Sequence, residues 1–370
     1  MPVARFMRDV WQRKPLLIRN AFPGLTPPVT RDDLFALARR DDAESRLITR
    51  TNGRWSLRHG PLHRLPSTRR AQWTLLVQGV DLLDPGAHAL LARFRFVPDA
   101  RLDDLMVSYA TDGGGVGPHV DSYDVFLLQA SGRRRWRISR QRNLTLVPDA
   151  PLKLLADFQP GEEFLLEPGD MLYLPPGVAH DGTAEGECLT YSVGFRAPTY
   201  QELLEPWFAD FAESASLPGR YADRGLRPNA RPAAMPEGMV RQVHDALTRQ
   251  RPGQRDTRRF LLRYLSEPKA QVIFARPPRP ASPVEFRRRA GRGGVALHSA
   301  TRMLYAGTEC GINGDSLDFP AGCGPQLREL ADQRALSAAA FASLAEGGHA
   351  LLHAWYEAGW LHIVEGGTPR

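Results

Sequence analysis

The sequence lacks the features of membrane and secreted proteins. No stretch of its 370 residues approaches the roughly 18 uninterrupted apolar residues that a membrane helix requires. The opening segment, MPVARFMRDVWQRKPLLIRNAF, is charged throughout and contains no apolar block of signal-peptide length. We therefore expect a cytoplasmic protein without membrane spans.

Cysteine is also scarce. The chain has only Cys188, Cys310 and Cys323, which are far apart and odd in number. This pattern favours neither a disulfide framework nor a zinc knuckle. What remains is ordinary for a globular protein, with 42% hydrophobic and 24% charged residues. A chain of this length accommodates two or three domains and a sizeable core.

The charge is uneven along the chain. The net charge is +7, but residues 101–200 hold 14 acidic and 9 basic side chains, and the other residues hold 27 and 39. A simple nucleic-acid binder is not indicated by this distribution. An acidic middle would attract a basic substrate, whereas basic flanks suit RNA or phosphate. An arginine-rich composition without any partner explains the same numbers equally well.

Periodicity divides the chain into four blocks. Residues 1–100 mix helical patterns with short strands, and Thr30 is placed to cap a helix. Residues 101–198 are short alternating runs separated by Gly, Pro and Asp, which predicts a sandwich or barrel. Helical spacing returns from residue 199 to about 275, and the proline-rich ARPPRPASP follows as a linker. The last block predicts two strands, TRMLYAG and CGINGDSLDFP, and then helices that include a continuous HALLHAWYEAGWLHIV.

A candidate metal site lies in the barrel block. His119 and Asp121, in GVGPHVDSYDVFLLQ, share one face if the strand already runs there. His180, which follows two prolines in EPGDMLYLPPGVAHDG, is the candidate third ligand because distant strand ends meet in a closed barrel. Two histidines and one carboxylate leave coordination positions open, as in non-haem Fe(II) oxygenases. The alternative is an ordinary polar strand entrance, since an isolated His-x-Asp carries little weight.

A candidate co-substrate anchor follows in GRRRWRI. An iron of this kind works with 2-oxoglutarate, whose far carboxylate needs a bidentate partner such as arginine. Alternate strand residues face opposite sides, so either Arg134 or the odd-numbered arginines face the barrel interior. Periodicity does not choose between them. A solvated basic strand is the simpler interpretation of this cluster when it is taken alone.

Three segments together resemble the bacterial JmjC-type ribosomal oxygenases. They are DDLMVSYATDGGGVGPHVDSYDVFLLQASGRRRWRI, LEPGDMLYLPPGVAHDG and YSVGFRAP, and the WQRKPLLIRNAF start and AWYEAGWL end extend the similarity. Members of that family are 2-oxoglutarate- and Fe(II)-dependent hydroxylases of an arginine, at C3, in the sixteenth large-subunit ribosomal protein. The resemblance implies a mainly β catalytic domain with an N-terminal α/β extension (1–198), of the double-stranded β-helix, cupin or JmjC jelly-roll type. It also implies a helical dimerisation region with its linker (199–283) and a C-terminal winged helix (284–370).

The resemblance also assigns roles to individual residues. It implies an iron held by His119, Asp121 and His180, and a 2-oxoglutarate carboxylate paired with Arg134. Ser108 would add a hydroxyl contact to the co-substrate, and Ser192 would line the pocket. Partners implied in the same way are a basic, arginine-bearing ribosomal protein and a second copy of the chain.

Asp112, just before the glycine run, has two interpretations of equal standing. Its carboxylate either holds the guanidinium of a substrate or binds backbone within its own turn.

Two other functions compete with arginine hydroxylation. A JmjC histidine hydroxylase or demethylase would have the same fold and iron site. A cupin-like sensor attached to a DNA-binding winged helix would instead need a basic recognition helix. Neither PQLRELADQ nor SAAAFASLA is strongly basic, so we expect no sequence-specific DNA binding.

Overall fold

The computed structural model describes residues 2–224, 227 and 231–364. Antiparallel strands dominate the chain as far as Phe195. The elements of this part are α1 (Val3–Asp9), β1 (Leu16–Ile18), α2 (Arg31–Leu37), β2 (Ser45–Thr51), β3 (Arg54–His59), β4 (Trp73–Val77), α3 (Pro85–Ala92), β5 (Leu102–Ala110), β6 (His119–Val120), β7 (Asp124–Ser139), β8 (Glu162–Leu166), β9 (Met171–Leu174) and β10 (Ala179–Phe195).

Helix α2 begins where the sequence predicts. The Thr30 hydroxyl accepts a hydrogen bond from the Asp33 amide, and the Asp33 carboxylate accepts one from the Thr30 amide at 2.9 Å. This reciprocal capping box satisfies amides that a helix start otherwise leaves unpaired. The prediction of Thr30 as the N-cap is confirmed.

The ten strands of this part form one antiparallel sheet that curls into a jelly roll. The strand order is β1-β9-β7-β10-β5-β4-β2-β3, with β6 added to β10 and β8 added to β7. One apolar cluster around Trp73, Tyr109 and Phe126 packs the sheet against α1, α2 and α3. A second, around Trp136 and Leu172, fills part of the space between the curled strands. The predicted mainly β jelly roll is confirmed.

Strands β7 and β10 are longer than the sequence predicts. The sequence predicts short runs in this block, but DVFLLQAS and RRWRIS join in β7, which pairs with β10 along almost its whole length. The junction is Gly132, whose φ of +62° suits glycine. A Cβ atom at Gly132 would also collide with the Glu187 carbonyl oxygen. The glycine therefore bends the strand where the sequence suggests a break.

The described residues after the jelly roll form α4 (Tyr200–Ser214), α5 (Glu237–Leu247) and α6 (Gln254–Ser266). Neither α4 nor α5 buries a side chain, whereas Phe260 and Leu262 of α6 are buried. Among the described residues, no helix is both long and apolar enough to cross a membrane.

The C-terminal part is built on a separate apolar core around Phe286, Phe341 and Trp355. Its elements are α7 (Pro283–Gly293), β11 (Val295–Leu297), β12 (Met303–Ala306), β13 (Glu309–Ile312), β14 (Asp315–Asp318), α8 (Gly324–Gln333), β15 (Ala335–Leu336), α9 (Ala338–Ala342), α10 (Glu346–Glu357) and β16 (Leu361–Ile363). Helix α6 packs against β12, β13 and β14. The domain boundaries at 198/199 and 283/284 stay predictions, and residues 365–370 of the predicted last domain lie outside the described residues.

One predicted helix near the end is wrong in part. HALLHAWYEAGWLHIV was expected to be continuous, but α10 ends at Glu357 and β16 begins at Leu361. Gly359 adopts a left-handed φ of +80°, which ends the helix. Leu361 and Ile363 then alternate inward as β16 pairs with β11. The three cysteines are buried and free.

Candidate functional site

Strand pairing brings the two candidate histidines together. Strand β6 runs antiparallel to the start of β10, so that His119 lies directly opposite His180. Their ring centroids are 4.2 Å apart. The two positions are 61 residues apart in the chain, and only closure of the sheet makes them neighbours.

Asp121 completes the cluster from the turn after β6. Its carboxylate lies 3.9 Å from Nε2 of His119 and 3.6 Å from Nε2 of His180. One ligand atom from each of the three residues lies within 4.8 Å of the other two. Two imidazole nitrogens and a carboxylate on one side of a common point form the donor set of non-haem iron sites.

Backbone carbonyls orient both imidazoles for a metal. Nδ1 of His119 lies 2.9 Å from the Gly117 oxygen, and Nδ1 of His180 lies 2.9 Å from the Val178 oxygen. A carbonyl oxygen only accepts, so each Nδ1 carries the proton and each Nε2 presents its lone pair to the cluster. Such contacts are typical of metal-binding histidines. The three residues therefore fit a divalent metal ion.

Burial keeps His180 in the form that binds metal. Burial, assisted by repulsion from His119, lowers the pKa of His180 to about 4. The ring is therefore neutral near pH 7, and a metal ion does not have to displace a proton from Nε2.

Arg134 is the arginine of the GRRRWRI strand that is buried, with 5% of its surface exposed. Its Nη1 donates to the Ser108 hydroxyl at 3.1 Å, whereas Nε and Nη2 have no hydrogen-bond partner among the described residues. Burying a charged group without a partner is costly. A carboxylate ligand would satisfy both orphaned nitrogens at once in the bidentate geometry that arginine favours.

The register puts Arg134 and the metal cluster on one face. His180 lies opposite Ile138, and Arg134 is four residues back along β7. Residues at even spacing share a face, and four residues span roughly 13 Å of strand. The Arg134 guanidinium lies near the Trp136 ring, part of the way from Arg134 to the metal cluster. The remaining space between the guanidinium and the metal cluster suits a short dicarboxylic acid.

Ser108 and Ser192 lie on neighbouring strands, and a pocket-lining role for Ser192 stays a prediction. Both are buried, and Ser108 of β5 lies opposite Thr190 of β10, two residues before Ser192. Thr190 and Ser192 therefore share the face of Ser108. The Thr190 hydroxyl donates to Gln129 at 3.0 Å, which fixes this wall.

The structure does not bring Asp112 to the metal cluster. Asp112 is exposed, and its Oδ1 accepts a hydrogen bond from the Gly186 amide at 2.9 Å. Gly186 lies six residues along β10 from His180, roughly 20 Å away. Asp112 thus supports the bend of β10, and its contact to a substrate guanidinium stays a prediction.

Trp136 is a site residue that the sequence analysis missed. Its ring packs over Gly182, where a Cβ atom would approach it to 2.6 Å, and its centroid lies 5.8 Å from that of His180. The Arg134 guanidinium lies 5.8 Å from the same ring. Trp136 therefore forms the wall between the metal cluster and the arginine. Alternation from Arg134 would have found it, because Trp136 is the next residue on that face.

Comparison with known proteins agrees with this geometry. A JmjC domain model matches residues 89–203, and a ROXA-like winged helix model matches residues 245–362. The Escherichia coli ribosomal protein uL16 3-hydroxylase is 35% identical over 349 residues, which cover 92% of this chain and 91% of that protein. The chain belongs to the ribosomal oxygenase family. The predicted family and the predicted winged helix are confirmed.

Other ribosomal oxygenases support the same membership. Human ribosomal oxygenase 1 is 29% identical over 291 residues, which cover 70% of this chain and 41% of the human protein. The structure of the E. coli ribosomal oxygenase YcfD in complex with cobalt and 2-oxoglutarate superimposes with a TM-score of 0.85. That comparison covers 98% of both chains at 31% identity.

Proposed function

We propose that this chain is an Fe(II)- and 2-oxoglutarate-dependent oxygenase that hydroxylates C3 of an arginine side chain in ribosomal protein uL16. The observation that carries the proposal is the pairing of a two-histidine, one-carboxylate cluster with a buried, incompletely bonded Arg134 on the same face. The relative of 35% identity is itself a uL16 3-hydroxylase. The acidic balance of residues 101–200 suits a basic substrate.

Each pocket residue has a task in this reaction. Ferrous iron and 2-oxoglutarate, when bound, supply the oxidising power for an unactivated C–H bond. His119, Asp121 and His180 would hold the ion from one side and leave the other side open.

The co-substrate would be held by Arg134 and the strands beside it. Arg134 would bind the far carboxylate, with Ser108 orienting the guanidinium and Ser192 lining the pocket. Trp136 excludes water from the space between the metal cluster and the guanidinium.

Mass spectrometry of a treated peptide tests the proposal. The full chain is incubated with Fe(II), 2-oxoglutarate and an arginine-containing uL16 peptide, and fragmentation should locate one added oxygen on the arginine. An added oxygen on a histidine would instead establish a histidine hydroxylase. Loss of a methyl group from a methylated peptide, with release of formaldehyde, would establish a demethylase.

The C-terminal part gives less support to the alternative of a DNA-binding regulator than the site gives to an oxygenase. Helix α8 carries one basic residue, Arg328, against Glu329 and Asp332. A groove-binding helix needs a basic surface. Sequence-specific binding of a DNA duplex at physiological salt would reverse this judgement.

The chain is also proposed to act as a cytoplasmic homodimer. Helices α4 and α5 leave apolar side chains exposed in the single chain: Leu204, Phe208, Met239, Val240, Val243 and Leu247. Exposed apolar clusters of this kind mark protein interfaces. Light scattering after gel filtration should give twice the chain mass, and a Phe208→Glu, Val243→Glu variant should give the single mass. Cell fractionation, with a ribosomal protein as the substrate, should place the protein with cytoplasmic ribosomes.

A further inference from the structure

A long basic segment plays no part in the proposed chemistry. Between Glu44 and Asp81 the chain has no acidic residue, yet it contains seven arginines and two histidines. They are Arg46, Arg50, Arg54, Arg58, His59, His63, Arg64, Arg69 and Arg70. The chain as a whole has 48 basic and 41 acidic residues, so its average composition does not predict a long segment without acidic residues.

The segment folds into the β2–β3 hairpin and the loop that follows it. Arg54 and Arg58 lie four residues apart on β3 and therefore share a face. Thr51 lies opposite Arg54. Nη2 of Arg70 donates a hydrogen bond to the Thr51 hydroxyl at 3.0 Å. Arg70 thus returns to the side of the hairpin, and Arg69 is its neighbour in the chain. We call Arg54, Arg58, Arg69 and Arg70 the hairpin patch.

The charge of the hairpin patch is uncompensated. All four arginines are exposed, and within the described parts of the chain none of them forms an ion pair with a carboxylate. Arg135, by contrast, pairs with Glu163 and Glu185. Four exposed like charges without counter-charges attract an anionic partner and repel a cationic one.

The hairpin also packs against the segment that leads to His119. Trp55 of β3 packs on Gly117, where a Cβ atom would come within 3.0 Å of its ring, and Gly117 precedes His119 by two residues. The Arg50 guanidinium lies 5.3 Å from the centroid of the Trp55 ring. Because Trp55 alternates with Arg54 along β3, the hairpin patch lies on the face opposite this contact, at the same edge of the sheet.

Two simpler roles do not account for the patch. Strand β3 is an edge of the sheet, and charged side chains on an edge discourage aggregation. That role does not extend to Arg69 and Arg70, which lie off the strand. A docking site for the basic substrate itself is excluded by the sign of the charge.

We infer that the hairpin patch binds the sugar-phosphate backbone of RNA. Arginine clusters on an exposed sheet surface suit a polyphosphate strand, since each guanidinium contacts one phosphate and releases counterions. The charge alone fits any polyphosphate. The choice of RNA rests on the proposed function, because a ribosomal protein substrate meets the enzyme in the company of ribosomal RNA.

Fluorescence anisotropy with a labelled 20-nucleotide single-stranded RNA tests the patch. The full chain is measured without iron or 2-oxoglutarate, and the variant replaces Arg54, Arg58, Arg69 and Arg70 with Gln. Loss of four phosphate contacts should weaken binding by about tenfold or more and reduce the slope of log K against log salt by roughly 3. Lysine at the same four positions should restore most of the binding, since it keeps the charge.

A matched control distinguishes the effect of charge at the hairpin patch from the effect of the protein's net charge. Replacing Arg220, Arg241, Arg249 and Arg251 with Gln removes the same charge from exposed positions of the helical region. This control should bind RNA within about twofold of wild type. Equal loss in both variants, or no loss in the patch variant, overturns the inference. Equal or tighter binding of single-stranded DNA or of polyglutamate overturns the assignment to RNA.

The peptide hydroxylation assay on the same preparations keeps the two proposals apart. Hydroxylation without RNA binding overturns the patch and leaves the proposed function intact. Patch-dependent RNA binding without hydroxylation supports the patch and overturns the proposed function.

Discussion

The Arg134 guanidinium donates to the Ser108 hydroxyl through Nη1 at 3.1 Å while two of its nitrogens stay unpartnered among the described residues. The group is buried, and a buried charge without partners is costly. The protein therefore carries a destabilising charge that a bound carboxylate would relieve. Binding and stability should consequently respond in opposite directions when this side chain is replaced.

Arg134→Met is expected to weaken 2-oxoglutarate binding by about 100-fold, since removing one member of a buried charge pair costs roughly 3 kcal/mol. The same change should maintain or raise the thermal stability of the ligand-free protein, because an uncompensated charge leaves the core. Titration calorimetry and thermal unfolding measure the two effects. Arg133→Met, at the exposed neighbouring position, should change neither. An unaltered affinity in Arg134→Met would rule out the assigned role.

Metal-dependent stabilisation should disappear when one cluster residue is changed. A metal ion at about 100 times its Kd stabilises the folded state by about 2.7 kcal/mol. His180→Gln and Asp121→Ala should lose most of this gain, because each removes one of three ligand atoms. Thermal unfolding with and without Co(II) gives the measurement, and the exposed His63→Gln is the control. A full Co(II) shift in both cluster variants would show that the metal binds elsewhere.

His88 should make stability depend on pH. Burial, with repulsion from Arg334, lowers the pKa of His88 to about 4. The unfolded chain binds a proton there below about pH 6.5, whereas the folded chain does so only below about pH 4. The contribution of neutral His88 to the free energy of unfolding is therefore present above pH 6.5. It is lost as the pH falls to 4, by up to about 3 kcal/mol.

Urea unfolding of metal-free protein between pH 7.5 and pH 4 isolates this effect. The free energy of unfolding should fall more steeply in wild type than in His88→Gln, which lacks the titrating ring. Parallel curves for the two proteins would contradict the assignment. His63→Gln, at an exposed position, should follow the wild-type curve.

Asp124 should be a major contributor to stability. It is fully buried and accepts hydrogen bonds from Tyr173 at 2.6 Å, Gln12 at 2.9 Å and Arg101 at 3.0 Å. Asp124→Ala leaves these donors without their acceptor, which should lower the free energy of unfolding by roughly 3 kcal/mol. Urea titration measures the loss. As a control, Asp157→Ala at an exposed position should lower the free energy of unfolding by less than about 0.5 kcal/mol. Equal losses in the two variants would contradict a special role for Asp124.

Local chemistry made several features predictable. Thr30 caps α2 because a hydroxyl and a carboxylate three residues later satisfy helix amides without help from elsewhere. Alternation predicted the strands of the barrel, since a half-buried strand must place apolar residues at every second position. His119 and Asp121 were predictable as a pair for the same reason. His180 was a candidate third ligand because it follows a proline-bounded strand end, and the resemblance of long ordered motifs added the family.

Tertiary structure decided what depends on strands meeting across long separations. Periodicity left Arg134 and the odd-numbered arginines as alternatives, and the register of β7 with β10 puts Arg134 in the interior. The same register placed Trp136 beside His180. A composition count shows the excess of arginine after Glu44, but only folding of the hairpin and its loop brings Arg70 beside Thr51, the residue opposite Arg54. Sequence patterns report which face a residue takes, and only closure of the sheet determines which faces come together.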